Sequence, residues 1–168
     1  VDHISRNYLG SCELPLSDKT LAKIEQMVKF KPGDQIPEFR LPSQTDHLVP
    51  ISGLTGELNV IVFWASWCPH CMRELPKLKE LYDELPGKIG VYAISVDSVK
   101  ADWVNAVNSE NLKWLNVIDS DGWESDNLKA FGVTSTPTLI LVDARLRWIG
   151  RASSFDGLHE LVKTQLTE

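Results

Sequence analysis

An uninterrupted apolar run, VIVFWA at residues 60–65, ends three residues before the first of two cysteines that are spaced as C-x-x-C. Continuous apolar residues without alternation predict a strand that is covered on both faces, as in parallel sheets. In such sheets the active site lies beyond the carboxyl ends of the strands. We therefore expect a central sheet in which the cysteine pair follows directly on a buried strand.

The rest of the chain alternates between short strands and helices, which predicts an α/β sandwich with helices on both faces of the sheet. The predicted strands are residues 38–41, 47–51, 59–64, 90–97, 115–118, 138–142 and 147–150. The predicted helices are residues 69–85, 99–109, 124–131 and 155–166. Upstream, residues 17–30 have apolar positions at helical spacing and predict one amphipathic helix, which either packs on the main domain or binds a partner. We divide the chain into an N-terminal extension, residues 1–31, and a main domain, residues 32–168.

Composition limits the classes of partner. The chain has 168 residues, of which 43% are apolar, enough for one sizeable core. Its net charge of -6 does not favour binding to nucleic acid or to anionic lipid. The longest apolar run is too short to span a bilayer. Because the first residue is Val1, we expect a processed or trimmed chain whose targeting signal is out of view.

The position of the cysteine pair predicts two different roles. A strand ending at Trp64 and a helix starting near Pro69 place Cys68 at the helix N-terminus, where proline is suited to the first turn. Free backbone N–H groups and the helix dipole there favour a thiolate. We expect Cys68 to attack a disulfide and Cys71, one turn further in, to resolve the mixed disulfide. His70 adds a polar, partly cationic neighbour, although it could equally be a solvated surface residue.

Two other uses of a C-x-x-C pair fit this chain poorly. A zinc site needs two more ligands at comparable spacing, and the remaining cysteine and histidines are widely scattered. These are Cys12, His3, His47 and His159. A structural disulfide closing so short a loop would restrict the unfolded chain little. We therefore expect no metal and no cofactor, only a redox-active disulfide between Cys68 and Cys71, and an inert thiol at Cys12.

Several spaced motifs carry a resemblance to a known family. WCPHC after an apolar strand resembles the active site of the thioredoxin superfamily, and FWA at residues 63–65 precedes it as in thioredoxins. Pro76 sits where those proteins kink the active-site helix. GVTSTPTLILVD, at residues 132–143, resembles the stretch that holds their cis-proline, with Pro137 as that proline. The resemblance implies a thioredoxin-like three-layer sandwich with a mixed sheet.

The same resemblance implies a substrate groove. A cis-proline at Pro137 would bend the chain across the dithiol without donating an N–H, leaving the backbone around Thr136 to pair with an extended substrate. Trp67 would offer an apolar platform beside the sulfur.

The spacing of the motifs narrows the resemblance to one branch. Sixty-nine residues separate Cys68 from Pro137 (137 minus 68), longer than in plain thioredoxin. The extra segment, residues 99–118, resembles the insertion of TlpA/ResA-like proteins and of their AhpC/TSA-like relatives. Residues 31–57 resemble the N-terminal strand pair of that branch. The resemblance covers about residues 32–168.

Three departures from the family patterns matter. Val62 stands six residues before Cys68, where thioredoxins carry a buried aspartate. Asp97, at the end of the second buried strand, falls near the place where ResA-like proteins keep an acidic group, but a strand-end cap explains it equally well. The peroxidatic pattern of peroxiredoxins is missing, because Ala65 and Ile61 occupy its places. That argues against peroxide reduction.

The resemblance implies a thiol-disulfide oxidoreductase that acts on cysteines of extracytoplasmic proteins, and we expect it to act as a reductase. The Pro69-His70 dipeptide is also that of strongly oxidising DsbA-type enzymes, so oxidation stays open. A metal-binding or redox-sensing module stays open too. The implied partners are protein thiols or disulfides and an upstream electron donor or acceptor, such as a membrane protein. Cytochrome c maturation is one of several processes that fit.

Overall fold

The computed structural model describes residues 30–167. Its strands are β1 Arg40–Pro42, β2 Leu48–Pro50, β3 Leu58–Trp64, β4 Ile89–Ser95, β5 Leu115–Ile118, β6 Thr138–Asp143 and β7 Trp148–Ala152. Its helices are α1 Pro69–Glu84, α2 Lys100–Ser109, α3 Asp126–Ala130 and α4 Phe155–Leu166, with short 3-10 turns at Ile51–Gly53 and Gly122–Glu124. The predicted helix in the N-terminal extension lies outside the described residues.

Five strands form the central sheet, in the order β5-β4-β3-β6-β7. Strands β3, β4 and β5 run parallel, whereas β6 pairs antiparallel with both β3 and β7, so the sheet is mixed as predicted. All seven residues of β3 are buried, which explains its unbroken apolar sequence. Because Trp64 is opposite Ser95 and Ser95 is opposite Ile118, the three parallel strands end together at one edge of the sheet.

Each face of the sheet is covered by a different set of side chains. On one face, Val60, Leu141 and Gly150 are neighbours across three strands, and a Cβ at Gly150 would lie 3.3 Å from Leu161 of α4. Helix α1 lies against α4, since the Phe155 amide donates to the Glu74 carboxylate at 3.2 Å. These contacts place α1 and α4 together on that face.

An aromatic cluster covers the opposite face. The rings of Phe30, Phe39 and Phe63 all lie within 5.8 Å of the Phe131 ring, which follows directly on α3. Tyr92 joins the cluster edge-on to Phe39, and its hydroxyl donates to the Val49 carbonyl at 2.7 Å. Burial raises the pKa of Tyr92 above its ordinary value. The predicted layered α/β fold is therefore confirmed for the described residues.

One prediction at the N-terminus of the main domain agrees with the structure and one near helix α3 differs. The predicted N-terminal strand pair is present as β1 and β2, which form a two-stranded antiparallel sheet of their own. The single helix predicted at residues 124–131 is divided into a 3-10 turn and helix α3. Ser125 causes the division: its ψ of 135° is not helical, and its hydroxyl accepts hydrogen bonds from the amides of Asn127 and Leu128, which starts a new helix.

Candidate active site

Cys68 is the N-cap residue of helix α1, at the point where the chain leaves the buried strand β3. Its sulfur accepts a hydrogen bond from the Cys71 amide at 3.1 Å, so one of the free N–H groups of the first helical turn is directed at it. Pro69 occupies the first helical position and is exposed. The N-terminus of α1 thus supplies both a hydrogen bond and the positive end of a helix dipole to Cys68.

Cys68 and Cys71 form a disulfide, so the structure shows the oxidised state of the pair. Cys68 is 5% exposed and Cys71 is 1% exposed, the order that the sequence predicts. An attacking thiol or thiolate therefore reaches the Cys68 sulfur more easily than the Cys71 sulfur.

The loop of residues 131–138, which follows α3 and ends on the first residue of β6, faces the disulfide from across the sheet edge. The Thr136 carbonyl oxygen lies 3.7 Å from the Cys68 sulfur, and the peptide bond between Thr136 and Pro137 is cis. Pro137 is buried, whereas Thr136 is partly exposed. The structure thus brings together the cysteine pair and the two residues that the sequence assigns to the substrate groove.

Asp97 lies just beyond β4 and is joined to the turn that leads into Cys68. Its carboxylate accepts hydrogen bonds from the Ser66 amide at 2.9 Å, from the Ser66 hydroxyl at 2.6 Å and from the Ser95 hydroxyl at 2.5 Å. The residue is only 1% exposed, and these donors compensate the loss of hydration. Asp97 therefore fixes the backbone two residues before the nucleophile candidate.

Trp67 and His70 flank the disulfide at the surface. Trp67 is 56% exposed, which is unusual for so large an apolar side chain and fits a contact platform. His70 is exposed and makes no hydrogen bond or ion pair within residues 30–167. The structure is therefore compatible with both interpretations of His70, a polar neighbour of the dithiol and a solvated surface residue.

Comparison with known families decides the membership of this chain. The model of the AhpC/TSA family matches residues 32–149, which include the cysteine pair and the loop with Pro137. The chain belongs to the AhpC/TSA family. ResA, a thiol-disulfide oxidoreductase of Bacillus thuringiensis, is 30% identical to this AhpC/TSA protein over 117 residues. The match covers 68% of this chain and 65% of that protein's length.

Solved structures show the same fold. A thiol-disulfide oxidoreductase from Bacteroides fragilis is 25% identical, with a TM-score of 0.67, and the match covers 80% of this chain and 99% of that one. The thioredoxin domain of a thiol-disulfide oxidoreductase from Bacteroides vulgatus is 23% identical, with a TM-score of 0.71, covering 81% and 98% of the two chains. This AhpC/TSA protein therefore has a thioredoxin-like fold.

Residues 30–167 contain no group of three or more histidine, cysteine, aspartate or glutamate side chains arranged to hold a metal ion. Among the same residues, no helix has the length and apolar character needed to cross a membrane.

Sequence reasoning missed two residues of the site. Ser66 links Asp97 to the cysteine turn, and its only signal is a small polar residue between the apolar run and the motif. Arg151, on β7, donates hydrogen bonds to the carbonyl oxygens of Phe131 and Gly132 and to the Thr138 hydroxyl. No local pattern predicts that contact, because it depends on β7 pairing with β6.

Proposed function

We propose that this protein is a thiol-disulfide oxidoreductase that exchanges disulfides with other proteins through Cys68 and Cys71. One observation carries the proposal: the Cys68 sulfur caps helix α1, accepts the Cys71 amide at 3.1 Å and is bonded to Cys71. Membership of the AhpC/TSA family and the similarity to ResA support it. Cys68, rather than Cys71, is the sulfur through which partners enter and leave.

The reaction follows from this arrangement in the reduced protein. The Cys68 thiolate attacks one sulfur of a partner disulfide, which forms a mixed disulfide and releases the partner's first thiolate. The Cys71 thiolate then attacks the Cys68 sulfur, which releases the partner's second thiolate and forms the Cys68-Cys71 disulfide. The partner gains two electrons and this protein loses two. The Cys71 amide and the dipole of α1 stabilise Cys68 as attacking and as leaving thiolate.

We assign supporting roles to the residues around the disulfide. Thr136 and Pro137 form the groove along which an extended partner segment pairs, and Trp67 provides apolar contact beside the sulfur. Asp97 acts as a positioning residue, because its hydrogen bonds hold Ser66 rather than either sulfur. Pro69 and His70 adjust the reduction potential of the Cys68-Cys71 pair, because they lie in the first turn of α1.

We propose that electrons flow from this protein to its partners. The TlpA/ResA-like pattern of the chain favours reduction, whereas the Pro69-His70 dipeptide favours oxidation. Equilibration in thiol buffers of known composition decides between them. A reduction potential of about -270 mV, as in thioredoxin, supports reduction of the partners. A value of about -120 mV, as in DsbA, would reverse the proposed direction of electron flow.

We further propose that the partners are extracytoplasmic proteins with reactive thiols or disulfides, and that a second protein, such as a membrane protein, renews the dithiol. The resemblance to the ResA-like branch supports this proposal. Cytochrome c maturation is one of several processes that fit such partners. One structural relative, 22% identical, is described as a secreted disulfide oxidoreductase of Mycobacterium tuberculosis.

Single-cysteine variants test the proposal. Cys68→Ser is expected to lower the rate of exchange with a protein disulfide by more than about a thousandfold, because the Cys71 sulfur, 1% exposed, is poorly accessible to a protein disulfide. Cys71→Ser is expected to keep the first attack and to accumulate a mixed disulfide, visible as a mass increase that dithiothreitol removes. Cys12→Ser serves as the control and is expected to react like the parent protein. Undiminished exchange in Cys68→Ser contradicts the proposal.

A metal-binding or redox-sensing module is the competing function. It requires the dithiol to retain a metal ion or to switch state without turning over a partner. Stoichiometric metal in the purified reduced protein, together with no turnover of a protein disulfide, favours that function over the proposed one.

A further inference from the structure

Arg151 joins the two ends of the loop of residues 131–138. Its guanidinium donates to the carbonyl oxygens of Phe131 at 3.3 Å and Gly132 at 2.9 Å, where the chain leaves helix α3. It also donates to the Thr138 hydroxyl at 3.3 Å, where the chain enters β6. A single side chain from β7 thus closes the base of the loop.

The loop that Arg151 closes is the one that faces the disulfide. Thr136, whose carbonyl oxygen lies 3.7 Å from the Cys68 sulfur, is inside it. The Thr138 hydroxyl donates in turn to the Ser135 carbonyl at 2.8 Å, so the contact with Arg151 continues into the loop. Because hydrogen bonds from a guanidinium are stronger than neutral ones, they are well suited to hold a short segment in one conformation.

The placement of Arg151 on the sheet is fixed by strand register. Arg151 is opposite Ile140, which is opposite Ile61 of the central strand, so all three residues project on the face that carries the aromatic cluster. The Phe131 ring packs in that cluster, and its carbonyl is one of the groups that Arg151 binds. The loop is therefore anchored both by apolar packing and by the guanidinium.

We propose that Arg151 is a positioning residue that holds the loop of residues 131–138 ready to pair with an extended polypeptide, and so selects polypeptide disulfides over small ones. This inference rests on the proposed function. A substrate that pairs with the backbone at Thr136 gains from a loop that is already ordered, because less conformational entropy is lost on binding. A small disulfide reaches the Cys68 sulfur without pairing with the loop and gains nothing from Arg151.

Two substrates with the same leaving group test the inference. The first is an extended peptide whose single cysteine is in mixed disulfide with 2-mercaptoethanol, and the second is bis(2-hydroxyethyl) disulfide. The reduced protein is mixed with each at increasing concentration, and the release of 2-mercaptoethanol in one turnover gives a maximum rate and a half-saturating concentration.

Arg151→Met is expected to raise the half-saturating peptide concentration about tenfold and to leave the maximum rate within about twofold of the parent value. The rate with bis(2-hydroxyethyl) disulfide is expected to stay within about twofold. Arg151→Lys keeps the positive charge but has fewer N–H donors, and is expected to raise the half-saturating peptide concentration about threefold. Arg147→Met, at an exposed arginine just before β7, is the matched control and is expected to match the parent protein.

Each outcome decides the inference. Equal slowing of both substrates in Arg151→Met, or unchanged peptide saturation in that variant, overturns it. If Arg151→Met does not unfold cooperatively, the variants Arg151→Lys and Thr138→Val replace it. A raised half-saturating peptide concentration in both variants supports the inference, and parent concentrations in both overturn it. Failure of the proposed function looks different, because the parent protein would then react with neither substrate.

Discussion

Two buried aspartates stand at the ends of neighbouring parallel strands, and they hold different parts of the molecule. Asp97 follows β4 and is 1% exposed, and Asp119 follows β5 and is 5% exposed. Asp97 accepts hydrogen bonds from the turn that leads to Cys68. Asp119 accepts them from the Ser125 hydroxyl at 2.5 Å and the Asn127 side-chain amide at 2.8 Å, at the start of helix α3.

The difference between them lies in what each carboxylate holds in place. Both are compensated for burial by several donors, so burial alone does not distinguish them. The partner of Asp97 is a backbone amide two residues from the attacking sulfur, and that amide loses this acceptor if the carboxylate is removed. The start of α3 has a second support, because the Ser125 hydroxyl still accepts from the amides of Asn127 and Leu128. We therefore expect both aspartates to stabilise the fold and only Asp97 to affect exchange.

Among the aspartate variants, Asp97→Ala is expected to have the largest effect. The change leaves three donors without their acceptor and lowers the free energy of unfolding by about 3 kcal/mol. Because Ser66 is then released, the rate of exchange with a small disulfide is expected to fall about tenfold. Urea unfolding followed by circular dichroism measures the first effect, and single-turnover exchange with the reduced protein measures the second. A parent-like exchange rate in a folded Asp97→Ala protein would remove Asp97 from the site.

Asp119→Ala is the matched variant for that measurement. It leaves two donors without their acceptor, so the free energy of unfolding is expected to fall by about 2 kcal/mol. The exchange rate with the same small disulfide is expected to stay within about twofold of the parent value, because no hydrogen bond of Asp119 reaches the cysteine turn. If both alanine variants slow exchange equally, lost stability rather than position explains the effect, and the contrast between the aspartates fails.

The sequence predicts the part of this site that lies along one stretch of chain. The unbroken apolar run predicts β3, and Pro69 directly after Cys68 predicts the start of α1, because both signals are local. The strand Leu115–Ile118 and the helix Phe155–Leu166 are predicted with their observed bounds. The helix expected at residues 124–131 is wrong in its first turn, because the hydroxyl of Ser125 starts a new helix there.

The contacts between distant segments are not predictable in the same way. Ser66 meets Asp97 across 31 residues, and Arg151 meets Gly132 across 19. Both contacts follow from which strands pair and in what register, and neither serine nor arginine carries a periodic signal. The sequence leaves two interpretations of Asp97, the acidic group of ResA-like proteins and a strand-end cap, and its contact with Ser66 indicates a positioning role.

Asp97→Asn is expected to give the smallest loss of stability among these variants and the sharpest test of that role. The amide has the shape of the carboxylate, and its oxygen can accept from the Ser66 amide and the Ser95 hydroxyl, while its nitrogen can donate to the Ser66 hydroxyl. The turn therefore stays in place, and the free energy of unfolding is expected to fall by less than about 1 kcal/mol.

Exchange in Asp97→Asn is expected to stay within about threefold of the parent rate, in contrast to the alanine variant, because position is kept and only the charge is lost. The pH dependence of the exchange rate separates the two roles of Asp97. A positioning residue leaves the shape of the profile unchanged in Asp97→Asn. If the asparagine variant is as slow as the alanine variant, or loses a limb of the profile, then Asp97 carries a proton for the dithiol, because the two variants share only the loss of the ionisable group.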